Sequence, residues 1–259
     1  MADFEIALWQ AIRNLKSSDY LPDIEMKGCF FHFCQATYRK VMSYNLKKDY
    51  FNDKDSGTRT YIKWLMSLPL LPEPQMLEAF SELEKNINDR NCTNLKHLLT
   101  YFKNNWIDGR NWSAKDICVY KQKIRTNNDS EKFHNNLNYK IQKTNISFYP
   151  LVEHLAKEAQ WLPVQIQSLL NDQLHPIKTK KQKKFEDLLE KNYKKLDNSQ
   201  LSPIQFLHEM NQMKYTDDFI SEEWSLNFSR IDLQPEEEDL EEEGQPSEGF
   251  EEHIAELSC

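Results

Sequence analysis

A mainly α fold is predicted for this 259-residue chain by three observations. Apolar residues recur at i, i+3 and i+4 along most of its length. The chain holds only five glycines, which argues against a loop-rich all-β fold. Apolar content of 39%, with 12% aromatic, is enough to build a core.

The elements follow in order. Residues 4–15 place Phe4, Leu8, Ala11, Ile12 and Leu15 on one helical stripe, and Pro22 ends the run. Residues 24–27 alternate apolar and polar and lead into Gly28-Cys29-Phe30-Phe31, which predicts a short strand ending near Phe31. Helical spacing resumes over 35–48, with Ala36, Tyr38, Val41 and Met42 as packing residues. A helix over 61–67 stops at Leu68-Pro69-Leu70-Leu71-Pro72. Pro74 opens the next, since proline suits a first turn, and Met76, Leu77, Phe80 and Leu83 form its stripe. Leu95, Leu98, Leu99 and Phe102 mark a helix over 95–106, and Trp106, Trp112 and Tyr120 read as core anchors after it.

Thr126, Asn127 and Asn128 are candidate caps for a helix whose apolar stripe is Phe133, Leu137 and Ile141. Its other face carries Glu131, His134, Asn135 and Asn138. A further helical run, 148–170, is expected to be interrupted near Leu162-Pro163. Residues 178–195 are strongly basic but keep Phe185, Leu188, Leu189 and Tyr193 at helical spacing, and a last helix spans 203–213.

The net charge of −8 conceals two regions of opposite sign. From Glu222 onward 14 acidic residues face one basic residue, Arg230, which leaves 32 Lys and Arg against 27 Asp and Glu in the body. A mildly basic body with an acidic extension fits nucleic-acid binding, while a disordered solubilising tail gives the same tail composition. Lys180, Lys181, Lys183 and Lys184 are the candidate phosphate contacts, with a solvated charged face as the alternative. The five cysteines are scattered, no apolar run approaches bilayer length and no leader-like segment opens the chain. A nuclear or cytoplasmic protein with no membrane partner is expected.

Four polar features could carry chemistry: Asp3 with Glu5, Cys29 with His32, Glu131, and His134. Each has a structural reading as well. Asp3 could cap a helix, and Glu131 stands three residues after Asn128 at capping-box spacing. Cys29-x-x-His32 supplies two ligands where a closed zinc site wants four.

Taken together, the segments around these residues resemble a family. Ala2-Asp3-Phe4-Glu5-x-Ala7, Lys27-Gly28-Cys29-Phe30-Phe31-His32-Phe33-x-Gln35-Ala36-x-x-Arg39-Lys40, Leu68-Pro69-Leu70-Leu71-Pro72 and Arg125-Thr126-Asn127-Asn128-x-x-Glu131-x-x-His134 are similar, in this order, to the Mutator-like (MULE) transposases. The resemblance runs to about Ile141 and more loosely to about Leu170. It implies an RNase H-like core in which Asp, Asp and Glu hold two Mg²⁺ ions about 3.5–4 Å apart for in-line attack on a phosphodiester. Asp3 matches the second acid, Glu131 the third, Cys29 and His32 the family's Cys–His pair, and His134 a neighbour on the face of Glu131. Asp3 and Glu131 would be the catalytic and metal-binding residues. Residues 1–33 would be the remnant of the core and 34–122 a helical insertion. Residues 123–175 would form the late helices, 176–215 a basic helical segment and 216–259 an acidic disordered tail.

One departure is large. Only two residues precede Asp3, so the first acid and the early strands have no counterpart among these residues. The strand near 24–31 would stand without neighbours, and the apolar face of the 4–15 helix would lose the sheet it should cover. The expectation is a truncated or degenerate MULE-type transposase, with DNA as partner and self-association possible. The alternative is a catalytically inactive DNA-binding or protein-interaction protein derived from one.

Overall fold

A computed structural model describes residues 1–17, 24–52, 57–88, 92–142, 145–171 and 180–211. The expected acidic tail, the last two residues of the expected 203–213 helix and Lys178 lie outside these residues.

Eleven α-helices are present among the described residues: α1 (Ile6–Ser17), α2 (Phe30–Ser43), α3 (Lys47–Asn52), α4 (Thr58–Ser67), α5 (Glu73–Asn88), α6 (Thr93–Phe102), α7 (Ala114–Ile117), α8 (Asn128–Ile141), α9 (Phe148–Leu170), α10 (Lys180–Asp197) and α11 (Pro203–Asn211). A 3-10 turn (Leu68–Leu70) follows α4 and a π turn (Lys103–Ile107) follows α6. The mainly α expectation holds.

The expected strand does not form. Among the described residues the only pairing is one parallel bridge between Ala2 and Gly28, and helix α2 already begins at Phe30. The reason is in the side chains. Phe30, Phe33, Cys34, Thr37, Tyr38 and Val41 are all buried and repeat at three and four residues, so the helical period governs from Phe30 onward. Four alternating residues before Gly28 are too few to outweigh it. The 35–48 helix likewise starts earlier and ends at Ser43, where Asn45 turns the chain with φ of 57°.

The core lies between α2, α4, α5 and α6, closed on one side by α10 and α11. Helix α4 buries Tyr61, Ile62, Leu65 and Met66, and α11 faces it with Phe206, Leu207 and Met210. Tyr193 of α10 stacks on Phe206, with ring centroids 5.8 Å apart. The Leu68–Leu70 turn is wholly buried, and the Pro69 carbonyl accepts the Val119 N–H at 2.8 Å, which ties the chain after α7 to the centre.

Two elements bury little, and the second also departs from the expected interruption near Pro163. Helix α1 covers a single residue, Trp9, while Leu8, Ala11 and Leu15 of the expected stripe are exposed. Trp9 turns inward because its indole N–H donates to the Asp3 carbonyl at 2.7 Å and its ring stacks beside Phe4. Helix α9 runs unbroken through Pro163 and buries none of its residues. Proline removes one N–H from the ladder there without ending the helix.

Candidate functional site

The segment from Lys27 to Phe30 is held by three distant parts of the chain. Lys27 O accepts Ala2 N–H at 2.9 Å, and Cys29 N–H donates to Ala2 O at 2.8 Å. Gly28 N–H donates to Asp116 O at 2.7 Å, and Phe30 N–H to Arg125 O at 2.8 Å. A buried polar backbone must find partners. Here residues near positions 2, 116 and 125 supply them in place of a sheet. Asp116 is itself fixed, its carboxylate accepting from Ser113 N–H and Oγ–H at 2.9 Å in a capping box for α7.

Gly28 is required by the aromatic residue above it. A Cβ at this position would lie 2.2 Å from the ring of Phe4. Phe4 in turn meets Trp106 and Trp112 edge-on, at centroid separations of 4.7 and 5.4 Å. This aromatic knot fixes the backbone next to Asp3.

The result is a cluster around one imidazole. Cys29 is the residue before α2 and His32 lies in its first turn, so the ring projects beside the start of the chain. His32 Nδ1 is 3.4 Å from Asp3 Oδ1, and His32 Nε2 is 3.4 Å from Glu131 Oε1. Asp3 Oδ1 also accepts its neighbour Phe4's N–H at 2.7 Å. Burial alone would lower the His32 pKa, but the Cys29 side chain and the Asp3 and Glu131 carboxylates together outweigh it and hold the pKa above the ordinary 6.5. An imidazolium has a donor on each nitrogen and so can face both acids at once. The Cys29 sulfur also lies 3.5 Å from the Asn127 N–H, which joins the start of α8 to the start of α2.

Glu131 is therefore turned to His32 and away from its own helix end. Asn127 stands at the N-cap of α8 without a side-chain cap bond, so the alternative reading of Glu131, in a capping box with Asn128, is not formed. Asp3 is not a helix cap either, because α1 starts three residues later, at Ile6. Of the sequence-selected residues, Asp3, Cys29, His32 and Glu131 come together. His134 does not join them. It is exposed one turn further along α8, its ring tilted against Phe133. Glu5 is exposed as well.

Among the described residues no group of three or more His, Cys, Asp or Glu side chains is placed to hold a metal ion. The Mg²⁺ pair implied by the resemblance does not fit this arrangement. The two carboxylates address opposite nitrogens of an imidazole, and hard cations need several oxygens converging on one point.

Arg125, a motif residue that carried no assigned role, connects the cluster to the basic helix. Its guanidinium pairs with Glu186 of α10 and lies 5.8 Å from the Phe185 ring centroid. Helix α10 buries Phe185, Leu189, Asn192, Tyr193 and Leu196. Lys180, Lys183 and Lys184 are exposed at its first turns, and Lys181 lies among them in sequence. Lysines there oppose the positive end of the helix dipole, so the placement does not serve helix stability. At the far end Lys121 pairs with Asp197 at 2.7 Å, and the Tyr120 hydroxyl donates to the same carboxylate. No described helix is long and apolar enough to cross a membrane.

Fold and site together define a helical protein with an acid–imidazole cluster beside a basic helix. Comparison with family models, curated proteins and solved structures finds no match for the chain.

Proposed function

We propose that the chain carries the segment of a MULE-type transposase core that spans its second and third acids, and that it binds DNA without cutting it unaided. One observation carries this reading. Asp3, Cys29, His32 and Glu131 come from three motif segments up to 128 positions apart, and they gather around a single side chain. The parallel bridge between Ala2 and Gly28 supports it further. It places the residue before Asp3 beside the residue before Cys29, as two neighbouring parallel strand ends of an RNase H-like sheet would lie.

The absence of cutting follows from the cluster's chemistry. The two acids face opposite nitrogens of one imidazole at 3.4 Å each, and a third carboxylate would have to come from residues other than these. DNA contact falls to α10, whose exposed Lys180, Lys183 and Lys184 lie at a helix N-terminus, an arrangement suited to phosphate oxygens. Arg125 fixes that helix to the cluster.

Fluorescence anisotropy with a labelled duplex tests the reading. Binding should be tight at low salt and fall steeply as salt rises, because each phosphate contact releases counterions. Lys183→Glu with Lys184→Glu should flatten that slope by about two contacts' worth. Lack of binding even at low salt would overturn the reading, as would a slope that the two substitutions leave unchanged.

A further inference from the structure

Seven apolar residues of helix α9 fall in one register, while Trp161 and Val164 lie exposed outside it. Phe148, Leu155, Leu162 and Leu169 recur every seven residues, and Val152, Ala159 and Ile166 recur every seven residues between them. The steps alternate four and three, which is the 3.5-residue spacing of a coiled-coil seam. Among the described residues nothing covers the seam: Phe148 is 70% exposed, Leu162 52% and Ile166 55%. Helix α8 approaches from beside it, Lys140 pairing with Glu158 on the flank.

We propose that a second copy of this chain covers the seam, α9 against α9, in a parallel two-stranded coiled coil. β-Branched Val152 and Ile166 alternate with Leu155, Leu162 and Leu169, and this distribution of branched and leucine positions favours two parallel strands. The 23-residue helix is about 35 Å long, room for three heptads. Its exposed apolar side chains, with Tyr149 and Leu170 at the flanks, offer on the order of 800 Å² per chain, about what each partner contributes to a standard interface. Pro163 follows Leu162 and lies beside the seam, so it does not interrupt the contact row. A lipid surface is a poorer occupant. The charged residues of the helix are Glu153 and Glu158 against Lys157, whereas helices that lie on anionic membranes are rich in Lys and Arg.

Light scattering coupled to size exclusion, on the full chain at tens of micromolar, reads the result. The expected mass is about twice the 31.0 kDa of one chain. Leu155→Glu with Leu162→Glu should return the mass to one chain with unchanged helical circular dichroism, and Lys157→Ala on the opposite face should leave the dimer intact. A single-chain mass for the unsubstituted protein overturns the proposal, as does a trimer or a dimer that survives both glutamates. The strand direction is read from Leu162→Cys under mild oxidation. Parallel seams bring this position against itself and should form an inter-chain disulfide absent from Lys157→Cys. No excess of that disulfide over the control rules out the parallel pairing even if the glutamate variant fails to fold.

Discussion

Replacing Gly28 with alanine tests the aromatic knot that positions Asp3. The added methyl would lie 2.2 Å from Phe4 Cζ and 2.4 Å from Cε1, so one of the two must move. If the backbone yields, the cost is that of overpacking, about 1–3 kcal/mol. If Phe4 swings away, it forfeits its edge-on pairs with Trp106 and Trp112, about 0.5–1.5 kcal/mol each. Both routes give about 2 kcal/mol. Urea denaturation followed by tryptophan fluorescence should show the midpoint lowered with the slope unchanged. Phe4→Leu in the same background should relieve part of the clash. The double variant should then lose at least about 1 kcal/mol less than the two single losses added together, as expected for residues in contact. A neutral Gly28→Ala, or strict additivity with Phe4→Leu, would refute the reasoning.

Two further outcomes concern the cluster and its link to α10. His32 has its folded pKa raised above 6.5, so its stabilising contribution is complete below that pH and is lost as pH rises through the folded value. The stability difference between the native chain and His32→Gln should therefore be largest in acid buffer and shrink above pH 6.5, and a difference that grows with pH would contradict the pairing. Because the Asp3 and Glu131 side chains are 54% and 42% exposed, each pair should contribute no more than about 1 kcal/mol. Arg125→Ala should cost about 1–2 kcal/mol, the loss of a charged hydrogen bond discounted for solvent at Glu186. It should also speed amide exchange in α10. Unchanged exchange there would show that Arg125 does not hold the helix.

The helices were readable because their period is local. Leu95, Leu98, Leu99 and Phe102, for example, are all buried as their spacing predicts. What could not be read depends on distant partners. The expected strand near 24–31 failed because the groups satisfying Gly28 to Phe30 come from Ala2, Asp116 and Arg125, which no local pattern announces. The α1 stripe is legible, but which residue is buried depends on a contact outside the helix: Trp9 alone turns inward, its indole N–H on the Asp3 carbonyl. In the cluster, Asp3, Cys29, His32 and Glu131 were each selectable from sequence, yet residue types alone allowed a structural task for every one. Only their convergence separates Glu131 at His32 from Glu131 in a capping box, and it also leaves His134 outside. Arg125 gave no signal beyond its place in the motif, since its partner Glu186 lies 61 residues away.

The imidazole of His32 offers the most direct test that the three motif segments meet at one point. Its pKa can be read by NMR titration of the ring protons in the native chain, in Asp3→Asn and in Glu131→Gln. The cluster predicts a value above 6.5 in the native chain that drops in each variant, because each removes a carboxylate facing a different ring nitrogen. An ordinary value in all three proteins, or a shift that ignores both substitutions, would contradict it.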